Sequence, residues 1–465
     1  MQNVYSRKQL PCRKIESYSI LHIGSQKLFL NKTGSSILDL VDGQRTSEQI
    51  ANEICALYQG ADVTADRIMK NVETFLGSLY QNGVLLKEDS SSQSNKAPIA
   101  ASPSEASKPA NKNDAEIHSL QESCMTPKLA RKAKTMEHIV EDLYWDRQYI
   151  QKMHVELTYR CNFRCVHCYN TTHIGGTKEL TTAEWIDSLE QLAGLGCYDL
   201  TFTGGEIFVR KDVLDILDAA CAGLFSFRLN TNGSLIDEKV LLRLQKMRPF
   251  LQSVDISFYG SGPDTHDVLA RRPGSYNMTL RAVRLLKEAN FAVVAKYVTM
   301  RDNFDGIARF EQDMSQLDVP TCIHTGSLIP QTDRNRAPLV QLLTDAQYTA
   351  LVESRGGVKG TGQQGSCRPG TVRGAITPEG YVSPCEWLTD FKFGNLREQK
   401  LAEIWFGPQF QSFRGVLKQD AECKTCDLQT GCSRCPAHSY LETGSILKCA
   451  PIQRHNAELT LALRS

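Results

Sequence analysis

Residues 154–168 read His154-Val-Glu-Leu-Thr-Tyr-Arg-Cys161-Asn-Phe-Arg-Cys165-Val-His167-Cys168. The first five read as a strand. Three cysteines follow it at once, in a CxxxCxxC spacing. Three thiolates this close can ligate three irons of a [4Fe-4S] cube and leave the fourth iron open. A zinc knuckle is the alternative, but structural zinc takes four ligands and no fourth cysteine stands nearby. Beyond this stretch the chain keeps alternating. Strands are expected at 199–203, 227–231, 254–258, 292–299 and 321–325, with helices at 182–195, 212–222, 236–246, 278–289 and 304–316. About six β/α units imply an α/β fold whose parallel sheet curls into a partial or full barrel. The loops after the strands carry chemistry in such a fold, and Cys161 begins the first of them. At the end of the second strand stands Thr203-Gly204-Gly205-Glu206. Glycine there lets backbone approach closely.

The whole chain has 465 residues, too many for one ordinary domain. Lys+Arg 53 against Asp+Glu 52 gives a net charge of +1, so no global basic field exists to hold nucleic acid or an anionic membrane. Neither is expected as a partner. Cysteine is the outlier, with 16 residues. The first nineteen residues carry no apolar run of the secretory kind, and no stretch approaches 18 apolar residues. A cytoplasmic chain follows as the expectation. There, so many cysteines point to metal ligation rather than disulfides.

CxxxCxxC at the first strand, reinforced by Gly204-Gly205-Glu206 at the second, resembles the radical SAM superfamily over roughly residues 150–330. The resemblance implies a partial (β/α)6 barrel binding S-adenosyl-L-methionine (SAM) on a [4Fe-4S] cluster held by Cys161, Cys165 and Cys168. It places Gly204, Gly205 and Glu206 at the SAM amino group, Ser257 at the ribose and Arg271 at the carboxylate, where a guanidinium fork suits the anion. Asn232 would line the pocket and His167 would pack on the adenine. Each of these has a plain structural alternative, a turn hydrogen bond or a surface charge. The implied chemistry is a 5′-deoxyadenosyl radical that removes hydrogen from an unactivated carbon, with a flavodoxin or ferredoxin as reductant.

The C-terminal region holds Cys367, Gly380-Tyr-Val-Ser-Pro-Cys385, Cys423-Lys-Thr-Cys426, Cys432-Ser-Arg-Cys435 and Cys449. Paired CxxC motifs are strong metal signals, with a zinc ribbon as the alternative. This layout is similar to a SPASM domain, which carries auxiliary clusters. Cys432 and Cys435 are separated by two residues instead of the usual three, as in peptide thioether maturases of this kind. The resemblance assigns Cys423, Cys426, Cys432 and Cys449 to a distal [4Fe-4S] cluster, and Cys367, Cys385 and Cys435 to a nearer one. Three ligands leave one iron open to a substrate thiolate, unless Cys322 fills the place. Residues 391–406 resemble the linker helix between the halves of such domains.

Residues 1–88 show a winged-helix-like α+β pattern. Strands are expected at 18–23 and 27–30 around a turn at Gly24-Ser25. Helices follow at 47–58, with Ile50, Ile54 and Leu57 on one face, and at 64–80, with Val72, Leu76 and Leu79; residues 84–86 return as a strand. With Leu30-Asn31-Lys32-Thr33-Gly34, Asp42-Gly43 and Arg45-Thr46 this resembles the PqqD-like element that binds leader peptides by strand addition. Residues 89–114, rich in Ser, Ala, Pro and Lys, read as a flexible linker. Residues 115–150 read as a helical connector, 151–330 as the barrel and 331–465 as the SPASM domain. The combined resemblance is to a radical SAM/SPASM peptide maturase of the sactipeptide or ranthipeptide type. It implies an enzyme that forms thioethers in a ribosomal precursor peptide. Carbon–carbon crosslinking, epimerisation and formylglycine formation are alternatives on the same scaffold. A zinc-ribbon, winged-helix protein that binds nucleic acid is the alternative of another class.

Overall fold

A computed structural model describes residues 3–23, 26–57, 65–88, 136–170, 178–324, 328–355, 369–418, 422–432 and 434–463. The expected turn at Gly24-Ser25, the linker at 89–114, most of the connector and Cys367 lie outside these residues. The chain divides into two units, Met1–Asp146 and Arg147–Ser465.

In the first unit, β1 (Val4–Arg7) pairs antiparallel with β5 (Leu85–Glu88), and β2 (Cys12–Ile15), β3 (Tyr18–Ile23) and β4 (Gln26–Leu30) form a three-stranded meander. Helices Lys32–Leu40, Ser47–Leu57 and Ala65–Gln81 complete it. Ile50, Ile54, Val72, Leu76 and Leu79 are buried together, as their spacing predicts. Leu57 is not. It ends its helix and is 68% exposed. The helix at Lys32–Leu40 was not expected. Asn31 caps it by accepting from the Gly34 amide at 2.8 Å. A β-carbon on Gly34 would stand only 3.2 Å from the Phe75 ring, so this glycine lets two helices close up.

The second unit is built on one sheet, in the order β11-β10-β9-β8-β7-β6-β12-β13. Six parallel strands are those expected: β6 (Lys152–Thr158), β7 (Asp199–Gly204), β8 (Ser226–Thr231), β9 (Leu251–Phe258), β10 (Val293–Tyr297) and β11 (Thr321–Ile323). Alternate side chains such as Val155, Phe202, Leu229, Ile256 and Ala295 are fully buried in the core beneath the helices. The other face is polar. Lys296 pairs with Asp255 at 2.7 Å, and Arg228 stands 3.8 Å from Asp199.

The sheet runs past the expected barrel. β12 (Arg373–Ile376) lies parallel beside β6, and β13 (Val382–Ser383) pairs antiparallel with β12. Cys385 follows β13 directly, so the sheet itself carries the Cys-rich region to the first cysteine loop. The expected helix at 391–406 shrinks to Leu401–Trp405. Residues 393–396 run alongside 380–382 instead, through Phe393 N to Val382 O, Val382 N to Gly394 O and Leu396 N to Gly380 O. Backbone pairing with a neighbouring strand wins there over local helix formation. Among the described residues no helix is long and apolar enough to cross a membrane.

Candidate active site

The cysteine loop leaves β6 at Thr158 and is held on two sides. The amides of Arg164 and Val166 donate to the carbonyls of Ala270 and Leu269, at the end of helix Pro263–Ala270. Arg271 caps that helix in the left-handed region, with φ 51°, which sets it beside the loop with its side chain exposed. On the other side, Gly205 N donates to Thr158 O at 2.7 Å and Glu206 N to Arg160 O at 2.9 Å. A β-carbon on Gly205 would lie 2.2 Å from Arg160 O, and one on Gly204 would lie 2.4 Å from Thr158 O. The two glycines therefore dock the end of β7 against the backbone that leads into Cys161.

Glu206 is fully buried. Its carboxylate accepts from Thr231 Oγ1 (2.7 Å) and from the amides of Asn232 (2.7 Å) and Phe208 (3.1 Å). Burial still holds its carboxyl above the usual carboxylate range. Asn232 continues the chain of contacts: its Nδ2 donates to Asn162 Oδ1 at 2.9 Å, and Asn162 Nδ2 donates to Ser234 Oγ at 2.8 Å. Glu206, Asn232 and the residue after Cys161 are thus one network. Asn162 was missed by sequence reasoning because its partner lies 70 positions away.

The three cysteines converge. All are half-buried, and Cys165 lies within electrostatic reach of both Cys168 and Cys161. Burial pushes the Cys168 thiol up to about 11, and Cys165 higher, with the neighbouring thiols adding to it. Thiols so placed ionise when a metal replaces the proton, which is how an iron cluster would fit this donor set. Phe163, Tyr259, Leu269 and Met300 form an apolar wall behind them. His167 packs against Tyr259, ring centres 4.8 Å apart and planes tilted by 47°, with its Nδ1 buried and unpartnered; burial lowers its pKa to about 3, so it is neutral. Ser257 is half-buried on the polar face of β9, opposite Lys296 of β10.

The C-terminal cysteines fall in two places. Cys426 and Cys449 are within electrostatic reach of Cys432. Cys423 stays in the same turn region, its carbonyl accepting from Gln429. Cys385 and Cys435 instead share a separate apolar cluster with Trp387. This second group abuts the first loop. Tyr169, which follows Cys168, lies 6.4 Å from Trp387, and Glu386 Oε1 stands 3.7 Å from His154 Nδ1 on β6. Cys322 is exposed on β11, at the opposite edge of the sheet from β13. Among the described residues no three His, Cys, Asp or Glu side chains close on one ion-sized point. Glu156, one row below the loop, is a further buried carboxyl that the sequence did not single out. Burial raises its pKa to about 8, and only Oε2 is paired, with Tyr159 at 2.9 Å.

The family model for the radical SAM superfamily matches residues 155–313. The chain carries a radical SAM domain over these residues. A model for the iron-sulfur cluster-binding SPASM domain matches residues 367–436, and one for coenzyme PQQ synthesis protein D (PqqD) matches residues 18–85. The radical SAM and SPASM domains make it a SAM- and iron–sulfur-binding protein. The PqqA peptide cyclase of Granulibacter bethesdensis is 28% identical over 309 residues, 61% of this chain and 82% of that protein. Among solved structures, Streptococcus suis SuiB bound to precursor peptide SuiA has a TM-score of 0.56 at 14% identity, covering 96% of this chain and 99% of that one. Native anSMEcpe with bound AdoMet and a peptide has a TM-score of 0.55 at 16% identity, covering 68% and 96%. The fold is shared over 96% of this chain with the SuiB structure and over 68% with anSMEcpe.

Proposed function

We propose that this radical SAM protein is an oxidoreductase that installs thioether crosslinks, cysteine sulfur to carbon, in a ribosomally made precursor peptide. Bound SAM on its reduced cluster supplies a 5′-deoxyadenosyl radical, and an auxiliary cluster supplies the acceptor for the second electron. Cys161, Cys165 and Cys168 hold the SAM cluster. Gly204, Gly205, Glu206, Asn232, Ser257, Arg271 and His167 surround the SAM. Cys423, Cys426, Cys432 and Cys449 hold the distal [4Fe-4S] cluster, and Cys367, Cys385 and Cys435 the nearer one. Residues 1–88 bind the leader, the segment at 89–114 gives reach, and 115–150 connects to a barrel at 151–330 and a SPASM domain at 331–465. Tethering the leader raises the effective concentration of the core peptide at the barrel. A flavodoxin or ferredoxin supplies electrons in the cytoplasm.

One observation carries this reading: Tyr169 and Trp387 bring the loop of Cys385 to the mouth that holds Cys168. A carbon reacting near the first cluster and a sulfur near the second would be neighbours there. Each crosslink removes one hydrogen atom from carbon, one proton from the thiol and one electron. The product is therefore two hydrogens lighter, and its thiols resist alkylation. Mass spectrometry of the reacted precursor, before and after alkylation, tests this. The relative named PqqA peptide cyclase keeps a second reading in view, another radical modification such as a carbon–carbon crosslink. Loss of mass with every thiol still alkylated would decide for it.

A further inference from the structure

Tyr259 follows β9 at once and belongs to the apolar wall against which Cys161 and Cys165 pack. Its backbone is held from both sides by buried side chains. The Tyr259 amide donates to His266 Nδ1 at 3.2 Å, and its carbonyl accepts from Asn303 Nδ2 at 3.0 Å. Asn303 is tied in turn to the Met300 amide at 2.7 Å and to the Val298 carbonyl at 2.9 Å. The Tyr259 ring packs on those of His167 and His266, with centres 4.8 and 5.1 Å away. Tyr259, His266 and Asn303 are all buried.

A ring held this firmly delivers its hydroxyl to one place. The Tyr259 hydroxyl donates to the Cys165 sulfur. Cys161 takes a backbone amide instead, from Phe163 at 3.4 Å. Packing alone would be served by phenylalanine, and the neighbours Phe163, Leu269 and Met300 bring no hydroxyl to this wall. A hydroxyl set among them needs a partner, and the sulfur is that partner. The clamp has a cost of its own. With Nδ1 turned to the Tyr259 amide, His266 leaves Nε2 buried without a partner among the described residues.

We propose that Tyr259, by donating its hydroxyl to the Cys165 sulfur, raises the reduction potential of the cluster on Cys161, Cys165 and Cys168. The inference rests on the reading above that these three cysteines hold the SAM cluster. Cys165 is then a thiolate, an acceptor with no proton of its own, and the phenol is the donor. Reduction adds one electron and increases the negative charge on the cluster sulfurs. A donor aimed at one of them stabilises the reduced form more than the oxidised form, and hydrogen bonds to sulfur are among the levers that set such potentials. Tyr259 therefore acts through Cys165 and eases loading of the electron that a flavodoxin or ferredoxin brings.

The test uses the full chain, reconstituted with iron and sulfide, in a redox titration followed by EPR. The cluster concerned is the one whose signal changes when SAM is added. Tyr259→Phe keeps the ring and removes the hydroxyl. At a fixed solution potential it should lower the reduced-to-oxidised ratio of that cluster about tenfold, a downward shift of about 59 mV. A ring-fluorinated tyrosine in place of Tyr259, a more acidic phenol of nearly the same size, should shift the potential upwards. Altered packing alone would not give shifts of opposite sign. An unchanged potential in either variant, or shifts of the same sign in both, overturns the inference and leaves the proposed reaction standing. No SAM-responsive signal in the parent protein, or one that survives replacement of Cys161, Cys165 and Cys168 by alanine, removes the reading of those cysteines on which both rest. The fluorinated protein decides even if Tyr259→Phe fails to hold its cluster.

Discussion

Gly205→Ala tests the docking of β7 against the cysteine loop. The new β-carbon would meet Arg160 O at 2.2 Å and Tyr159 O at 2.8 Å, where real β-carbons keep at least 3.0 Å. Both obstacles are backbone, and Arg160 O is already tied to Glu206 N. Relief therefore needs a displacement of about 0.8 Å in the segment entering Cys161, since no flexible side chain can yield in its place. Misplacing reacting groups by about 1 Å can cost about 10²-fold in rate. SAM cleavage by Gly205→Ala should fall about 10²-fold, measured as 5′-deoxyadenosine formed under reducing conditions without peptide. Gly194→Ala is the control, because its β-carbon would meet nothing within 4 Å. Cleavage within threefold of wild type, at equal iron content, would refute the claim that these glycines position the loop.

Four further outcomes are expected. Replacing Cys161, Cys165 and Cys168 by alanine should abolish SAM cleavage, whereas replacing Cys423 and Cys426 should stop peptide modification and leave cleavage in place; wild-type cleavage in the first variant would sink the assignment. Asn162→Ala deprives Asn232 Nδ2 of its acceptor, a loss of about 1–3 kcal/mol, and should weaken SAM binding in equilibrium titration. Arg210 is buried, donating to Asp212 and to the carbonyls of Leu157 and Leu180, so Arg210→Ala should cost about 3–5 kcal/mol, read as a fall in denaturation midpoint. Glu156 keeps its proton to about pH 8 in the folded chain but loses it near 4.5 when unfolded. Wild-type stability should thus fall as pH rises through that window, by up to about 1.4 kcal/mol per unit; Glu156→Gln removes this slope, and equal urea-unfolding profiles from pH 5.5 to 8 would contradict it.

The sequence by itself determined the six-strand alternation and the cysteine spacings. Both are local properties: strand and helix periods repeat within a few residues, and three ligands on one loop need no distant partner. It also marked Gly204, Gly205 and Glu206, but not their work. Only the tertiary structure decided that the two glycines clear space for the Thr158–Arg160 backbone and that the Glu206 carboxylate turns inward to Thr231 and Asn232. Strand β1 escaped notice because its partner, β5, lies some eighty residues on. Residues 393–396 looked helical because the pairing with 380–382 that holds them extended is not written in their own pattern. The cysteine count likewise gave seven ligands for two clusters. That His438 and Glu442 of helix Pro436–Thr443 lie buried side by side, with the His438 ring against Trp387, came to light only in the fold. Spacing along the chain fixes which groups can act; which of them meet is fixed by how the elements pack.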